Sequence, residues 1–366
     1  MVSHCVSGRL GIVIIAALAV LAMAPAQAAR ALYVDVALGD DQNSGSASDP
    51  YRTIRMALTH AAAGTSVYLR PGRYNESLFR AIPSGVTVSG SNRNRRAVIA
   101  APAGSLRVVD LTDVSDVTLQ DLVLDGSRVS LDALKVSDAP RVLVQRVEIF
   151  GAPEQGVLVV DDHATSSGFW LLDSSVNHCG TTDFHHGVYL SSDDARVERV
   201  EVFRNAGWGV HVFHEGGTVH RASLRALAVS GNATAGARGD GVILSSGDSH
   251  VLEDSTIEGN AQGVVVDYGA TRAIVRHVLV RSASSGVAVR VGTGASDTRL
   301  DRVQYDGAQR VIDDGARTIM LSVGRLVGPT APRRIFVQSI GSLFGAPTAE
   351  GARDSSTRVG WAPRVE

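Results

Sequence analysis

The sequence contains very little cysteine and lysine. Only two of its 366 residues are cysteines, Cys5 and Cys179, and Lys135 is the single lysine among 35 basic residues. Cys5 lies in an N-terminal segment that we expect to be removed, so the mature protein would keep one cysteine and no internal disulfide. The fold must therefore be held together by burial and hydrogen bonding.

Aromatic residues are also scarce, at 5%, and neither sign of charge dominates, since the formal net charge is −2 and the pI is near 6.6. A protein that binds nucleic acid or an anionic membrane through its charge carries an excess of basic residues. We therefore expect neither partner. Glycine is abundant by contrast, with 38 residues, and 44% of the chain is hydrophobic, as many short strands and tight turns require.

The two ends of the chain differ from its middle. Residues 10–24 form an apolar run that is preceded by Arg9 and followed by Ala26-Gln27-Ala28, a pattern typical of a secretory signal peptide with an A-x-A cleavage site. We predict that residues 1–28 are removed and that the protein acts in the periplasm or outside the cell; a retained anchor is the alternative, although the run is short for a membrane span. Residues 345–366 are polar and aperiodic, which predicts a disordered tail. Residues 29–344 would form one domain, expected to be a monomer.

A short apolar strand led by glycine recurs along the domain. The pattern Gly-Val-x-(Val/Leu) begins at six glycines separated by 31, 22, 32, 22 and 23 residues: Gly156, Gly187, Gly209, Gly241, Gly263 and Gly286. One such unit cannot bury its own apolar face, so a near-constant period predicts a solenoid whose coils stack. Each residue then lies above its equivalent in the next coil.

Two further short apolar segments accompany each glycine-led strand, for example Val197 and Val200/Val202. Three alternating strands per turn predict an all-β fold, a single-stranded right-handed parallel β-helix with three faces and about ten coils. Three residues after the last apolar segment, four successive coils carry Cys179, Asn205, Asn232 and Asn260. We interpret this column as a structural ladder in which stacked side chains hydrogen-bond the bends, and Cys179 as buried and inert.

The N-terminal part of the domain contains a different pattern. Pro50 opens a stretch with Ile54, Ala57 and Leu58 at helical spacing, which predicts a short amphipathic helix that caps the first coil. A resemblance to a known family is carried by residues 49–54 (DPYRTI), by residues 64–74 (GTSVYLRPGRY) and by the glycine-led strands. Over about residues 31–325, the chain resembles the pectate-lyase-like right-handed parallel β-helix superfamily. That resemblance implies the fold. It leaves the function open, because the superfamily includes polysaccharide lyases, uronate epimerases, glycoside hydrolases and non-catalytic surface proteins.

Stacking on the glycines converts sequence offsets into spatial neighbours. The outward position of the glycine-led strands reads Leu158, Tyr189, His211, Ile243, Val265 and Ala288, and extending it backwards adds Lys135. Tyr189 and His211 should thus lie on adjacent strands, roughly 4.8 Å apart along the backbone. The position before each glycine reads Gln155, His186, Trp208, Asp240, Gln262 and Ser285.

Turn length gives a second indication of a site. The turn from the ladder position to the glycine is long before Gly187 and Gly241 and short before Gly209 and Gly263. Two long turns therefore flank the strand of His211 and should form the walls of a groove that suits an extended polymer. The first long turn carries Asp183, His185 and His186, and the second carries Arg238 and Asp240.

Such a groove suits proton abstraction beside the carboxylate of a uronic acid. This chemistry needs a base, a proton donor and a group that stabilises charge on the carboxylate. We predict that His211 is the base and Tyr189 the acid, with Arg238 and His186 neutralising the carboxylate. Trp208 would stack on a sugar ring. The substrate-binding residues would be completed by His185, Asp183, Asp240 and Lys135.

The function predicted from these residues is a lyase that acts on an acidic polysaccharide, with a C5-epimerase as the first alternative. A glycoside hydrolase needs two carboxylates, which Asp183 and Asp240 could supply, and a non-catalytic carbohydrate-binding protein would use the same groove. No cofactor is predicted. We do not favour a transition-metal site, since its ligands would be Asp183, His185, His186 and His211, whose spacing is atypical. Calcium at the acidic pairs is also less favoured, because such pairs are common in solvated turns; these pairs are Asp161-Asp162 and Asp193-Asp194. Lys135 could serve as a base, but we interpret it as part of a surface ion pair with Asp110, its neighbour one coil back.

Overall fold

The computed structural model describes residues 30–163, 165–236, 239–307 and 309–326. The predicted signal peptide, the predicted C-terminal tail and Arg238 lie outside these residues. Within them no helix is long and apolar enough to cross a membrane.

The described chain forms three parallel sheets and one short helix, a β-solenoid of about ten turns, as predicted. Each coil passes through the sheets in the same order. The first sheet contains twelve strands: Ala31–Val34, Ser66–Leu69, Thr87–Gly90, Thr118–Gln120, Leu143–Gln145, Trp170–Leu172, Arg196–Glu198, Ser223–Arg225, Val251–Glu253, Ile274–Arg276, Arg299–Asp301 and Ile319–Leu321. The second contains eleven: Gly72–Tyr74, Ala97–Ala100, Leu122–Asp125, Glu148–Phe150, Ser175–Asn177, Glu201–Phe203, Ala228–Ser230, Thr256–Glu258, Leu279–Arg281, Gln304–Tyr305 and Gly324–Arg325.

The third sheet contains the glycine-led strands and is called the glycine sheet below. Its stacked strands are Leu78–Phe79, Val109–Thr112, Leu134–Ser137, Val157–Val160, Val188–Ser191, Val210–Val212, Val242–Asp248, Val264–Thr271, Val287–Val291 and Arg310–Asp313, and the short strand Val219–His220 pairs with Val242–Asp248. Glycine precedes six of these strands, and at the first five of these glycines the backbone of the next coil passes very close. A Cβ placed on Gly209 would lie 2.6 Å from the carbonyl oxygen of Gly241.

The core runs along the axis of the solenoid and consists of the inward residues of all three sheets. In the Val188–Ser191 strand, Val188 and Leu190 are fully buried, while Tyr189 between them is partly exposed. This alternation is what a strand with one buried face requires. The alternation therefore determines which side chains of each coil point outward and are available to contact a ligand.

The helix Ile54–Thr59 lies against the first two strands of the first sheet and buries Ile54, Ala57 and Leu58. Thr53 is its N-cap, and the Thr53 hydroxyl accepts a hydrogen bond from the Met56 N–H. The predicted capping helix is therefore confirmed.

The predicted side-chain ladder is also confirmed. The Asn205 amide donates to Oδ1 of Asn232 (2.9 Å), the Asn232 amide donates to Oδ1 of Asn260 (3.0 Å), and the Cys179 N–H donates to Oδ1 of Asn205 (3.0 Å). Cys179 is buried, and desolvation raises the pKa of its thiol to about 12, so it stays protonated and unreactive.

The predicted register holds through Gly263 and is wrong at Gly286. Val265 pairs with Arg290 rather than with Ala288, and Ala288 is buried. Gly286 lies in a tight turn with a positive φ of 71°, and the strand that follows pairs with Val264–Thr271 two residues later than predicted. Val287 accordingly takes the position predicted for Ser285, because its carbonyl accepts from the Gly263 N–H.

Candidate functional site

Tyr189 and His211 are direct neighbours on adjacent strands of the glycine sheet. Their ring centroids are 5.0 Å apart, and the rings meet at 88° in an edge-to-face contact. The outward column around them reads Asp110, Lys135, Leu158, Tyr189, His211, Ile243, Val265 and Arg290. The strand stacking thus places this pair side by side, as predicted from the glycine alignment.

The pair lies in a cleft of about 630 Å³ on the surface of the glycine sheet. The lining residues come from four successive coils: Asp183, Phe184, His186, Tyr189, Trp208, His211, Phe213, Asp240, Gln262 and Tyr268. Phe, Trp and Tyr make up half of this lining but only 5% of the chain. This enrichment indicates a surface for flat or ring-shaped ligands rather than a random part of the solenoid.

His211 is enclosed by other rings. Its ring centroid lies 4.1 Å from that of Trp208, 4.9 Å from that of His186 and 5.2 Å from that of Phe213. Only 5% of the residue is exposed, and desolvation, followed by the nearby His186, lowers its pKa well below the usual value. His211 is therefore neutral at physiological pH.

The two nitrogens of His211 have different surroundings. Nδ1 is buried and has no hydrogen-bond partner among the described residues. Nε2 is therefore the nitrogen that can meet a ligand, and it can accept a proton when the imidazole hydrogen is on Nδ1.

His186 is fixed in one tautomer by the backbone. Its Nδ1 accepts a hydrogen bond from the Trp208 N–H (3.2 Å), so the proton of the neutral ring must be on Nε2. Its own N–H donates to Oε1 of Gln155, and its ring stacks on Trp208 at 4.6 Å. Desolvation lowers the pKa of His186 to about 3. At neutral pH the ring can donate a hydrogen bond, but it lacks the positive charge that its predicted role required.

Tyr189 is partly buried, and this burial raises the pKa of its hydroxyl to about 12, with a smaller contribution from the negative charge of Glu215. The phenol is therefore protonated at any physiological pH. The cleft thus combines a neutral imidazole and a protonated phenol in direct contact, which are the protonation states that a base and an acid need at the start of a reaction.

The cleft also contains two carboxyl groups. Asp240 is 7% exposed, and desolvation raises its pKa to about 6, although hydrogen bonds with Gln262 and the charge of Arg290 act in the opposite direction. Asp183 is more open to solvent and lies on the opposite wall, in the turn before Gly187. Asp240 can thus exchange a proton near neutral pH.

Two residues predicted to bind substrate do not line the cleft. His185 belongs to the same turn as His186, but its Nδ1 lies 3.3 Å from both the backbone N and the Oγ1 of Thr181. Lys135 is two strands away from Tyr189 and donates to Oδ2 of Asp162 at 3.1 Å. The ion pair predicted for Lys135 is present, but its partner is Asp162 rather than Asp110.

No group of three or more His, Cys, Asp and Glu side chains within the described parts of the chain is arranged to hold a metal ion. The acidic pairs considered for calcium have other contacts: Asp193 and Asp194 both pair with Arg221, and Asp162 pairs with Lys135. These contacts favour solvated ion pairs at the turns.

Sequence reasoning missed four lining residues, and some of them could have been found. Phe213 lies two positions after His211 and therefore points to the same face, so the alternation that identified His211 also identifies Phe213. Gln262 was already in the column before the glycines. Phe184 and Tyr268 carry no periodic signal, because Phe184 lies in a turn and Tyr268 lies within an irregularity of the strand pairing.

Residues 37–274 match the model of the family described as "Protein of unknown function (DUF1565)". This match covers well over half of the chain. The chain belongs to this family. A relative from Bacillus subtilis (strain 168), described as "Uncharacterized protein YwoF", is 26% identical over 165 residues, which are 43% of this chain and 29% of that protein. The matched part is thus less than a third of the relative's length.

Solved structures resemble the chain in fold. Pectate lyase Pel9A has a TM-score of 0.54 at 15% identity, covering 83% of this chain and 82% of that one. A GH136 lacto-N-biosidase from Eubacterium ramulus has a TM-score of 0.55 at 13% identity, covering 82% and 68%. XylC, solved in complex with xylose, has a TM-score of 0.53 at 9% identity, covering 77% and 69%. The chain therefore has the pectate-lyase-like parallel β-helix fold, which proteins acting on different carbohydrates share.

Proposed function

We propose that this protein is an exported polysaccharide lyase that acts on a uronate-containing glycan in the cleft around His211. His211 takes the proton from C5 of a uronic acid, the electrons of that bond form the C4–C5 double bond, and the C4–O bond breaks. Tyr189 gives its proton to the departing oxygen. Every atom of this β-elimination is accounted for without an added reactant.

The observation that carries the proposal is the contact between a neutral imidazole and a protonated phenol on adjacent strands of one cleft. An exposed cross-strand Tyr–His pair would not by itself imply catalysis. Here the pair lies among stacked rings, and desolvation keeps each member in the form that the reaction requires.

The charge that develops on the uronate carboxylate needs hydrogen-bond donors. His186 presents an Nε2–H as a neutral donor, since its Nδ1 is already occupied by the Trp208 N–H. Arg238, from the turn that carries Asp240, remains the proposed cation. Both are proposed to contact the carboxylate rather than the reacting proton.

The proposal is tested by mixing the mature protein with alginate, pectate, glucuronan and glycosaminoglycans and following ultraviolet absorbance from the new conjugated double bond. A rise on one polymer, absent in the His211→Ala variant that still binds that polymer, supports the lyase. If absorbance stays flat while C5 exchanges its hydrogen with solvent, the protein is an epimerase. If the glycan binds and no bond changes, the protein is a carbohydrate-binding protein.

A second candidate, glycoside hydrolase, is favoured by one observation. Asp240 and Asp183 both line the cleft, and burial gives the Asp240 carboxyl a pKa of about 6, which suits a general acid. The same incubations separate the two candidates, because a hydrolase releases new reducing ends without the ultraviolet signal. In that case Asp240→Asn abolishes release and His211→Ala does not.

A further inference from the structure

Two exposed aromatic side chains mark the ends of the cleft. Phe184 is 64% exposed and Tyr268 is 63% exposed, whereas the rings between them are buried or partly buried. A large apolar side chain that remains open to water beside a cleft has lost the stabilisation of burial, and such exposure commonly indicates a binding surface.

The fold places these two residues far apart along the cleft. Phe184 lies in the turn that leads into the Val188–Ser191 strand, and Tyr268 lies beyond the centre of the Val264–Thr271 strand. Three strand spacings separate the two strands, which is roughly 14 Å along the solenoid axis. Phe184 also precedes its strand, whereas Tyr268 follows the middle of its own, so the line between them crosses the sheet diagonally.

The backbone at Tyr268 is held in an uncommon conformation. Its φ is +50°, in the left-handed region that bulky residues rarely adopt. The Tyr268 N–H donates to Oδ1 of Asp267, and Asp267 Oδ1 also accepts from the Gly294 N–H of the next coil. The strands Val242–Asp248 and Val264–Thr271 are seven and eight residues long, while Val210–Val212 has three. Two lengthened strands thus project an exposed tyrosine over one end of the cleft.

The reactive groups lie between these two ends. His211 and Asp240 belong to coils that lie between those of Phe184 and Tyr268, and Tyr189 lies on the strand into which the turn of Phe184 leads. A ligand that reaches both outer rings must therefore cross the reactive pair, from the turn before the Tyr189 strand to the far end of the cleft. A single sugar ring is too short to do this.

We infer that Phe184 and Tyr268 are outer subsites that stack on sugar rings on either side of the reaction centre, so that the cleft binds an internal segment of a polysaccharide and acts within the chain rather than at its end. This inference rests on the proposed function for the identity of the ligand as a glycan. The rings contribute affinity for longer oligosaccharides and take no part in proton transfer.

The test measures how the affinity of the protein for oligosaccharides depends on their length. Trp208 lies inside the cleft, so its fluorescence reports binding of size-fractionated oligomannuronate and oligogalacturonate, from dimers to octamers, to wild type, Phe184→Ala and Tyr268→Ala. The matched control is Trp170→Ala, which removes an aromatic residue that is also exposed (43%) but lies on the first sheet.

In the wild type and the control, affinity should rise with length in at least one series. Each cleft variant should lose roughly three- to tenfold in affinity for the long oligosaccharides, as expected for one aromatic contact, and keep the wild-type affinity for the dimer. The inference is overturned if both variants bind long oligosaccharides as tightly as the wild type does. It is also overturned if the affinity of the wild type does not depend on oligosaccharide length, or if the wild type binds neither series. Turnover is measured separately on the polymers, so length-dependent binding without turnover contradicts the proposed reaction and leaves the subsites in place.

Discussion

At the residue scale, the properties of His211 come from its neighbours. Trp208, His186, Phe213 and Tyr189 enclose the imidazole, and the resulting desolvation lowers its pKa. No described group accepts from or donates to Nδ1. A histidine in such surroundings is a weaker base than one oriented by a carboxylate, but it is neutral over the whole physiological pH range and ready to accept a proton.

We expect His211→Asn to lower turnover of the responsive uronate polymer by about 10²–10⁴-fold, the usual contribution of a general base, while affinity for the polymer changes little. Tyr189→Phe should have a similar effect, since it removes only the hydroxyl. The matched control is His163→Asn, which replaces an exposed histidine elsewhere. Steady-state kinetics with binding measured in parallel check this expectation, and wild-type turnover in His211→Asn would exclude it as the base.

At the scale of the element, the asparagine ladder links four coils through side chains that are almost fully buried. Asn232 is its central member: Oδ1 accepts from the backbone N–H and the amide of Asn205, and Nδ2 donates to Val202 O and Asn260 Oδ1. Removing it leaves buried polar atoms on both sides without partners.

We therefore expect Asn232→Ala to lower the free energy of unfolding by about 2–4 kcal/mol, because each unpaired buried group costs about 1–3 kcal/mol. Asn94→Ala, at an exposed position, is the control and should stay within about 0.5 kcal/mol of wild type. Denaturant unfolding measures both. Equal stability of the two variants would mean that water replaces the missing amide.

The close approach of coils at the glycine sheet gives a second expectation. A Cβ on Gly209 would lie 2.4 Å from Cγ1 of Val229 and 2.6 Å from the Gly241 oxygen, so Gly209→Ala must move the strand that carries His211. We expect a loss of about 1–3 kcal/mol in stability, as for other overpacked sites, together with lower turnover. Gly236→Ala is the control, since nothing lies within 4 Å of its added carbon. Unchanged thermal unfolding of Gly209→Ala would show that the coils can separate without cost.

The repeated strands determine how much of the site could be predicted from the sequence. Stacking identified the Tyr189–His211 neighbours because a repeated strand fixes register wherever one face is buried. It was wrong at Gly286 because glycine there serves a turn with positive φ instead of the close approach of strands. It could not distinguish Phe184 from His185, since side chains in a long turn follow no period. The neutral state of His186 was also beyond reach, as it depends on burial by residues of another coil.

At the scale of the whole molecule, three histidines in the described part of the chain, His186, His211 and His250, are buried and kept neutral. His250 is fully buried, its Nδ1 accepts from the Ala222 N–H, and desolvation lowers its pKa to about 4. In the unfolded chain each has a pKa near 6.5. Between that pH and the folded-state value the unfolded chain binds protons that the folded protein does not, so stability falls as the pH falls.

We expect the free energy of unfolding of the wild type to decrease from about pH 7 to pH 4, with His250 alone contributing about 3 kcal/mol. Asp240 acts in the opposite sense, because its raised pKa makes the folded protein bind a proton first as the pH falls. His250→Gln should therefore show a shallower dependence on pH than the wild type, which denaturant unfolding at several pH values measures. Parallel curves would show that the pKa of His250 is the same in the folded and unfolded states.

The two long turns before Gly187 and Gly241 supply the walls of the cleft, while the neighbouring turns stay short and the buried strands keep their register. At this corner of the stack, long turns alternate with short ones while the strands on either side stay in register. A change of loop there can remodel what the protein recognises without disturbing the core that keeps it folded. For a protein engineer, these turns are therefore the positions at which to exchange residues while the stacked strands stay the same.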